Sequence, residues 1–146
     1  MSKKIYLASP FFSSSELTVY KDVIHRLRAA GYSVYVPQEH DIEDAWSFSN
    51  KDWASQVYTE DISAIRDCDV IMILNFGMYS DSGTAWEAGF AYALNKTCIQ
   101  VLCGANENTT YSLMMINGCH KVITLDNIEN WEEISAQTNL SKIIQK

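Results

Sequence analysis

Short apolar runs alternate along the chain with stretches whose apolar residues recur every three or four positions. IYLAS at 5–9, YSVYVP at 32–37, DVIMILN at 69–75, TCIQVLC at 97–103 and KVITLD at 121–126 have the length of strands. After the first, ELTVYKDVIHRLRAAG carries Leu17, Tyr20, Ile24 and Leu27 at helical spacing. Ser13 and Glu16 are placed there as a capping box and Gly31 as a terminator. A second helix is predicted from near Asp52 to about Arg66, a third over SGTAWEAGFAYAL at 82–94, and a short one from Ser112 to Asn117. An amphipathic tail, IENWEEISAQTNLSKIIQ, closes the chain.

Strands that alternate with helices predict an α/β fold with a parallel sheet covered on both faces. DVIMILN is apolar at successive positions, as the centre of such a sheet requires. The expected arrangement is a five-stranded parallel sheet in the order 2-1-3-4-5, a flavodoxin-like or Rossmann-like single domain over residues 1–146. Ligands bind such sheets beyond the carboxyl ends of the strands, near the switch point between strands one and three. That rule selects the loops SPFFSSS, PQEHDIEDAWSF, NFGMYSDSGT and CGANENTTYS. The third helix leaves directly from the third of these, and its one charged residue is Glu87. An ionised carboxylate removed from water is costly, so it is paired, neutralised or employed.

Composition narrows the partners. The 146 residues are 47% hydrophobic and 20% charged, with a formal charge of −7 and no basic run. A reader of nucleic-acid phosphates needs clustered Lys and Arg, so a small ligand or a protein partner is expected instead. No apolar stretch approaches the roughly 20 residues that span a bilayer. MSKKIYLASP lacks the apolar region of a signal peptide, which points to the cytosol. Cys68, Cys98, Cys103 and Cys119 form no CxxC pair and read as buried free thiols; a zinc site with His120 is the alternative. His25, beside Arg26 and Arg28, reads as solvated, His120 as structural, and His40 as a crevice-loop candidate for ligand contact.

The chain has no GxGxxG, no GxxxxGK[ST] and no GxSxG, so dinucleotide, P-loop and serine-hydrolase chemistry lose their main support. Its acids are more informative. Asp61 shares a helical face with Val57 and Tyr58, Asp81 stands where it could cap the third helix or enter the crevice, and Glu87 follows. Several acids at one pocket suggest glycosyl transfer, in which one carboxylate attacks an anomeric carbon and another handles a proton. The alternative is a set of structural carboxylates satisfied by hydroxyls and backbone.

KIYLASPFF, DWASQVYTEDISAIRDCDVI, DSGTAWEAGFAYAL and NTTYSLMMING, in that order and spacing, resemble the nucleoside 2-deoxyribosyltransferases over nearly the whole chain. The resemblance implies transfer of a deoxyribosyl group from a 2′-deoxynucleoside to a free purine or pyrimidine base, with no metal or cofactor. By position, Glu87 matches the family's nucleophile, Tyr6 the tyrosine that positions it, and Asp61 the acid that protonates the departing base. Asp81 matches the residue that grips the sugar 5′-hydroxyl, and Phe11 and Phe12 match aromatic residues against the base. Ser9, Gly83 and His40 are further substrate-binding candidates. Attack requires an ionised Glu87, so the helix N-terminus and the Tyr6 hydroxyl are expected to offset its burial, while Asp61 should stay protonatable.

Two stretches depart from the family pattern. Ser112 stands where the family usually has an Asn donated by a neighbouring subunit, and related 5′-monophosphate hydrolases carry a serine near that point. Asp81 would repel a phosphate, so a nucleoside is the expected substrate. PQEHDIEDAW does not match the usual base-contacting loop; Glu39, His40 and Trp46 are candidates for base contact, or for a lid. An N-glycoside hydrolase and a non-catalytic nucleoside sensor remain as competing readings. The resemblance also implies a homo-oligomer, a dimer or a hexamer, whose sites are completed across the subunit boundary.

Overall fold

The central strand is sealed from water along its whole length: all six residues of β3 (Val70–Asn75) are buried. Sealing requires helices on both faces, and the computed structural model, which describes residues 2–39, 42, 44–135 and 140–144, provides them. In chain order the elements are β1 (Lys4–Ala8), α1 (Ser14–Ala29), β2 (Ser33–Tyr35), α2 (Asn50–Asp67), β3, α3 (Ser82–Ala93), β4 (Thr97–Leu102), α4 (Leu113–Asn117) and β5 (Lys121–Thr124). The strands pair in parallel in the order β2-β1-β3-β4-β5, as the sequence predicts.

Strand parity sorts the core into two layers. Ile5, Leu7, Met72, Leu74, Ile99 and Val101 pack with Tyr20, Val23 and Leu27 of α1. Tyr6, Ala8, Ile71, Ile73 and Cys98 face the other way, onto Ile65 of α2 and Ala88 and Ala91 of α3. Tyr6 is thereby committed to the α2–α3 side.

The caps form as expected. Ser13 Oγ accepts from the Glu16 amide (3.2 Å) while Glu16 Oε1 accepts from the Ser13 amide (2.9 Å). Gly31, at φ +97°, turns the chain out of α1, and the Tyr32 amide reaches back to the Leu27 carbonyl. α2 begins two residues before Asp52, because Ser49 supplies the cap by accepting from the Asp52 amide. β2 stops short of the predicted span where Pro37 opens a 3-10 turn, and β5 likewise yields to a 3-10 turn at Leu125–Asn127. Among its described residues the closing segment forms turns rather than an α-helix. Ile128 and Trp131 plug the α1-side core through turns, and the Tyr111 amide donates to the Ile143 carbonyl (2.7 Å).

One expectation needs correction. α3 looks buried all round in sequence, yet only Thr84, Ala88 and Ala91 are sealed, while Trp86 and Tyr92 are each about half exposed (49% and 46%). The loop before α3 is held by buried polar groups. Asn75 donates to Gln100 Oε1 (3.0 Å) and accepts from the Gly77 amide (3.1 Å) and the Ser80 hydroxyl (3.2 Å). Among the described residues no helix is long and apolar enough to cross a membrane.

Beyond β4 the chain passes Tyr111 and Thr109 so closely that a Cβ on Gly104 would lie 2.5 Å from the Tyr111 hydroxyl and from Thr109 side-chain atoms. Gly104→Ala should therefore lower unfolding stability by about 1–3 kcal/mol, read by urea titration. A variant as stable as the parent would show that this loop has more slack than its packing implies.

Candidate active site

Three carboxylates converge where β1, β3 and the N-terminus of α3 meet. Asp81 caps α3: its Oδ2 accepts from the Thr84 amide (2.9 Å) and the Thr84 hydroxyl (3.0 Å). Gly83 lies in that turn, where a Cβ would come within 3.3 Å of the same oxygen. Glu87 follows a little over a turn later, and the hydroxyl of Tyr6, from the fully buried middle of β1, donates to its Oε2. Asp61 arrives from α2, where the hydroxyl of Tyr35 donates to its Oδ1 (3.4 Å).

These acids share a cavity of about 790 Å³. Its polar lining includes Asp61, Asp81, Glu87 and Thr84; its apolar lining includes Phe11, Phe12, Ile42, Val57, Trp46 and Trp53. Ser9, Pro37, Asp44, Ala45 and Gly83 complete the wall. An apolar slot beside a cluster of oxygens suits a flat heterocycle joined to a hydroxylated group. No Lys or Arg lines it among the described residues.

The electrostatics differ from the sequence expectation. Burial raises the pKa of Glu87 to about 7; the hydrogen bond from Tyr6 works against that shift, and the charges of Asp61 and Asp81 add to it. The Tyr6 hydroxyl thus offsets the burial only in part, and Glu87 titrates near neutrality. Burial, then the charge of Glu87, push the Tyr6 phenol far above its usual range, so it stays a proton donor.

Of the candidate residues, the structure brings together Ser9, Phe11, Phe12, Asp61, Asp81, Gly83 and Glu87 in one wall, with Tyr6 behind Glu87. Asp81 fulfils both of its alternatives, as helix cap and as cavity wall. Ser112 is not in this wall; it precedes α4, half-buried. His40 lies outside the described residues. Trp46 borders the cavity with its side chain fully exposed. Glu39 instead forms a paired contact with Arg28 on α1 (2.6 and 2.9 Å). His120 is structural, its Nδ1 accepting from the Cys98 amide (3.0 Å). The four thiols are free, and among the described residues no acid, thiol and imidazole cluster could hold a metal.

Sequence reasoning missed Trp53, Thr84 and Tyr35. Trp53 could have been found, since 53, 57 and 61 recur at helical spacing. Thr84 was legible as the third residue after a capping Asp. Tyr35 becomes visible only through the register of β1 against β2.

The raised pKa of Glu87 has a stability consequence. The unfolded chain ionises this group near 4.5 and the folded chain near 7, so the folded state loses stability as pH rises between those values. Glu87→Gln removes that loss and should keep a hydrogen bond to Tyr6. Its melting temperature should match the parent's near the bottom of this window and exceed it by several degrees at pH about 8. Equal melting temperatures throughout would refute the burial argument.

Comparison with known proteins agrees with this fold. The family described as Nucleoside 2-deoxyribosyltransferase matches residues 5–125. The 2-deoxyribosyltransferase of Bacillus psychrosaccharolyticus superimposes with a TM-score of 0.73 at 27% identity, covering 97% of each chain. The 2-deoxyribosyltransferase of Leishmania mexicana gives 0.53 at 24% identity over 80% of this chain and 72% of that one. The CMP N-glycosidase BcmB of Clostridium botulinum gives 0.57 at 23% identity, over 88% and 93%. No curated protein matches the chain.

Proposed function

Because the chain belongs to the nucleoside 2-deoxyribosyltransferase family, we propose that it passes a 2-deoxyribosyl group between nucleobases through a covalent intermediate on Glu87. The observation that carries this reading is the contact of Tyr6 with Glu87 at the wall of a cavity that also holds Asp61 and Asp81. A Glu87 carboxylate oxygen bonds to C1′ of the donor while the C1′–N bond breaks, its electron pair staying on the base nitrogen. Asp61 gives that departing base a proton. The acceptor base then attacks C1′ from the opposite side, Glu87 leaves as carboxylate, and the acceptor's proton passes to Asp61. Asp81, held by Thr84, receives the 5′-hydroxyl, and Phe11, Phe12 and Trp53 flank the base. The sugar's missing 2′-hydroxyl favours an oxocarbenium-like transition state, so a poised carboxylate suffices.

A nucleoside suits this site better than a 5′-monophosphate. A phosphate would meet Asp81 with no cationic side chain in the described wall to neutralise it. Hydrolysis is the second reading, supported by the fold shared with the CMP N-glycosidase; water then replaces the acceptor base at the second step. A homo-oligomer acting in nucleoside salvage in the cytoplasm completes the proposal. Trp86 lies between Tyr58 and Phe90 in an aromatic row on α2 and α3, and Leu113 and Met114 stand exposed beside Ser112. On the family's pattern, a second copy covering such surfaces supplies its Ser112 to the first copy's site.

Incubation of a panel of 2′-deoxynucleosides with free bases, followed by product separation, tests the reaction. A new deoxynucleoside supports transfer; free deoxyribose regardless of added base supports hydrolysis; release of neither would overturn both. Glu87→Ala should lose about a thousandfold or more in kcat, and Asp61→Asn about a hundredfold with natural bases. Near-parental turnover by Glu87→Ala would remove the nucleophile assignment. In the parent, kcat/KM should rise with pH through about 7 as Glu87 ionises.

A further inference from the structure

Tyr35 stands outside the cavity wall yet reaches the acid at its edge. In the register of the two edge-side strands, Tyr6 of β1 and Tyr35 of β2 are direct partners, so their side chains leave the sheet on the same face. Their rings stack at 5.4 Å between centroids and 14° between planes. One hydroxyl of this pair goes to Glu87 and the other to Oδ1 of Asp61. Two carboxylates from two helices are thus tied to two adjacent strands at one rung of the sheet.

Resting on the transferase reading above, we infer that Tyr35 is a positioning residue for Asp61, fixing which carboxyl oxygen carries the proton delivered to the leaving base. A donor on Oδ1 disfavours protonation at that oxygen, so the acidic proton resides on Oδ2. When the C1′–N bond breaks, Oδ2 gives its proton to the base nitrogen. The negative charge left on the carboxylate is then stabilised by the Tyr35 hydroxyl, which keeps its own proton. The contact of 3.4 Å is long, as catalytic hydrogen bonds often are before substrate tightens them.

The groups around this pair set the direction of the effect. Among the described residues, Tyr6 from β1, Glu60 from α2 and Glu87 from α3 act on the acid and its tyrosine, with Asp81 acting on Glu87 in turn. The carboxylates disfavour a further negative charge, and the Tyr35 hydroxyl works against them by stabilising ionised Asp61. Without that hydroxyl, Asp61 holds its proton more tightly and is a weaker acid.

Tyr35→Phe keeps the stacked ring and removes only the hydroxyl. With a natural 2′-deoxynucleoside it should lower kcat about tenfold and leave KM within about twofold. The alkaline limb of its pH–rate profile should move upward by about one unit. A 2-deoxyribosyl donor with a nitrophenolate leaving group departs without a proton, and its rate should change by less than about twofold. An unmoved alkaline limb, or equal losses on both donors, would overturn this role for Tyr35. A parent enzyme that releases no base from any deoxynucleoside would instead overturn the transferase reading itself.

Discussion

The arrangement depends on one contact: a phenol hydroxyl from the sealed interior of the sheet donating to a half-buried carboxylate. Burial alone would keep Glu87 protonated and inert. The Tyr6 hydrogen bond works against that burial and leaves the carboxylate poised at about 7, where a fraction is always ionised at neutral pH. The same balance carries a cost, since a buried acid that titrates at neutrality weakens the folded state. Stability is given up at the position where the proposed chemistry needs a reactive oxygen.

The fold brings the partners of this contact together from distant parts of the chain. Strand parity sends Tyr6 to the α2–α3 face, and the loop held by Asn75 sets where α3 begins. Asp81 then fixes the first turn of α3 through Thr84, and helical geometry delivers Glu87 toward Tyr6. Each link is a local rule acting in sequence. The convergence therefore follows from the 2-1-3 strand order, which places the crevice beside β1 and β3.

Much of this was legible in the sequence. The apolar runs and capping signals predict each described strand and α-helix within a few residues, because buried parallel strands and capped helices leave strong local patterns. The departures come at Pro37 and Leu125, where 3-10 turns shorten strands. The amphipathic pattern of the closing segment is met, among its described residues, by turns that insert Ile128 and Trp131 into the core. Glu87 stood out because α3 carries a single charge. Tyr35 did not, since its partnership with Tyr6 exists only in the register between two strands. The exposed aromatic row on α2 and α3 was unreadable for a related reason. An apolar helix looks the same in sequence whether its outer face is covered by its own chain or left open.

The nucleophilic role of Glu87 is tested most directly by weighing the protein during turnover. A 2′-deoxy-2′-fluoro nucleoside is a suitable probe, because fluorine slows breakdown of a glycosyl ester by destabilising the oxocarbenium-like transition state. Intact-mass and peptide analysis should find one fluorodeoxyribosyl group on the peptide that contains Glu87, released when an acceptor base is added. Consumption of the probe with no adduct, or an adduct on another residue, would contradict the account.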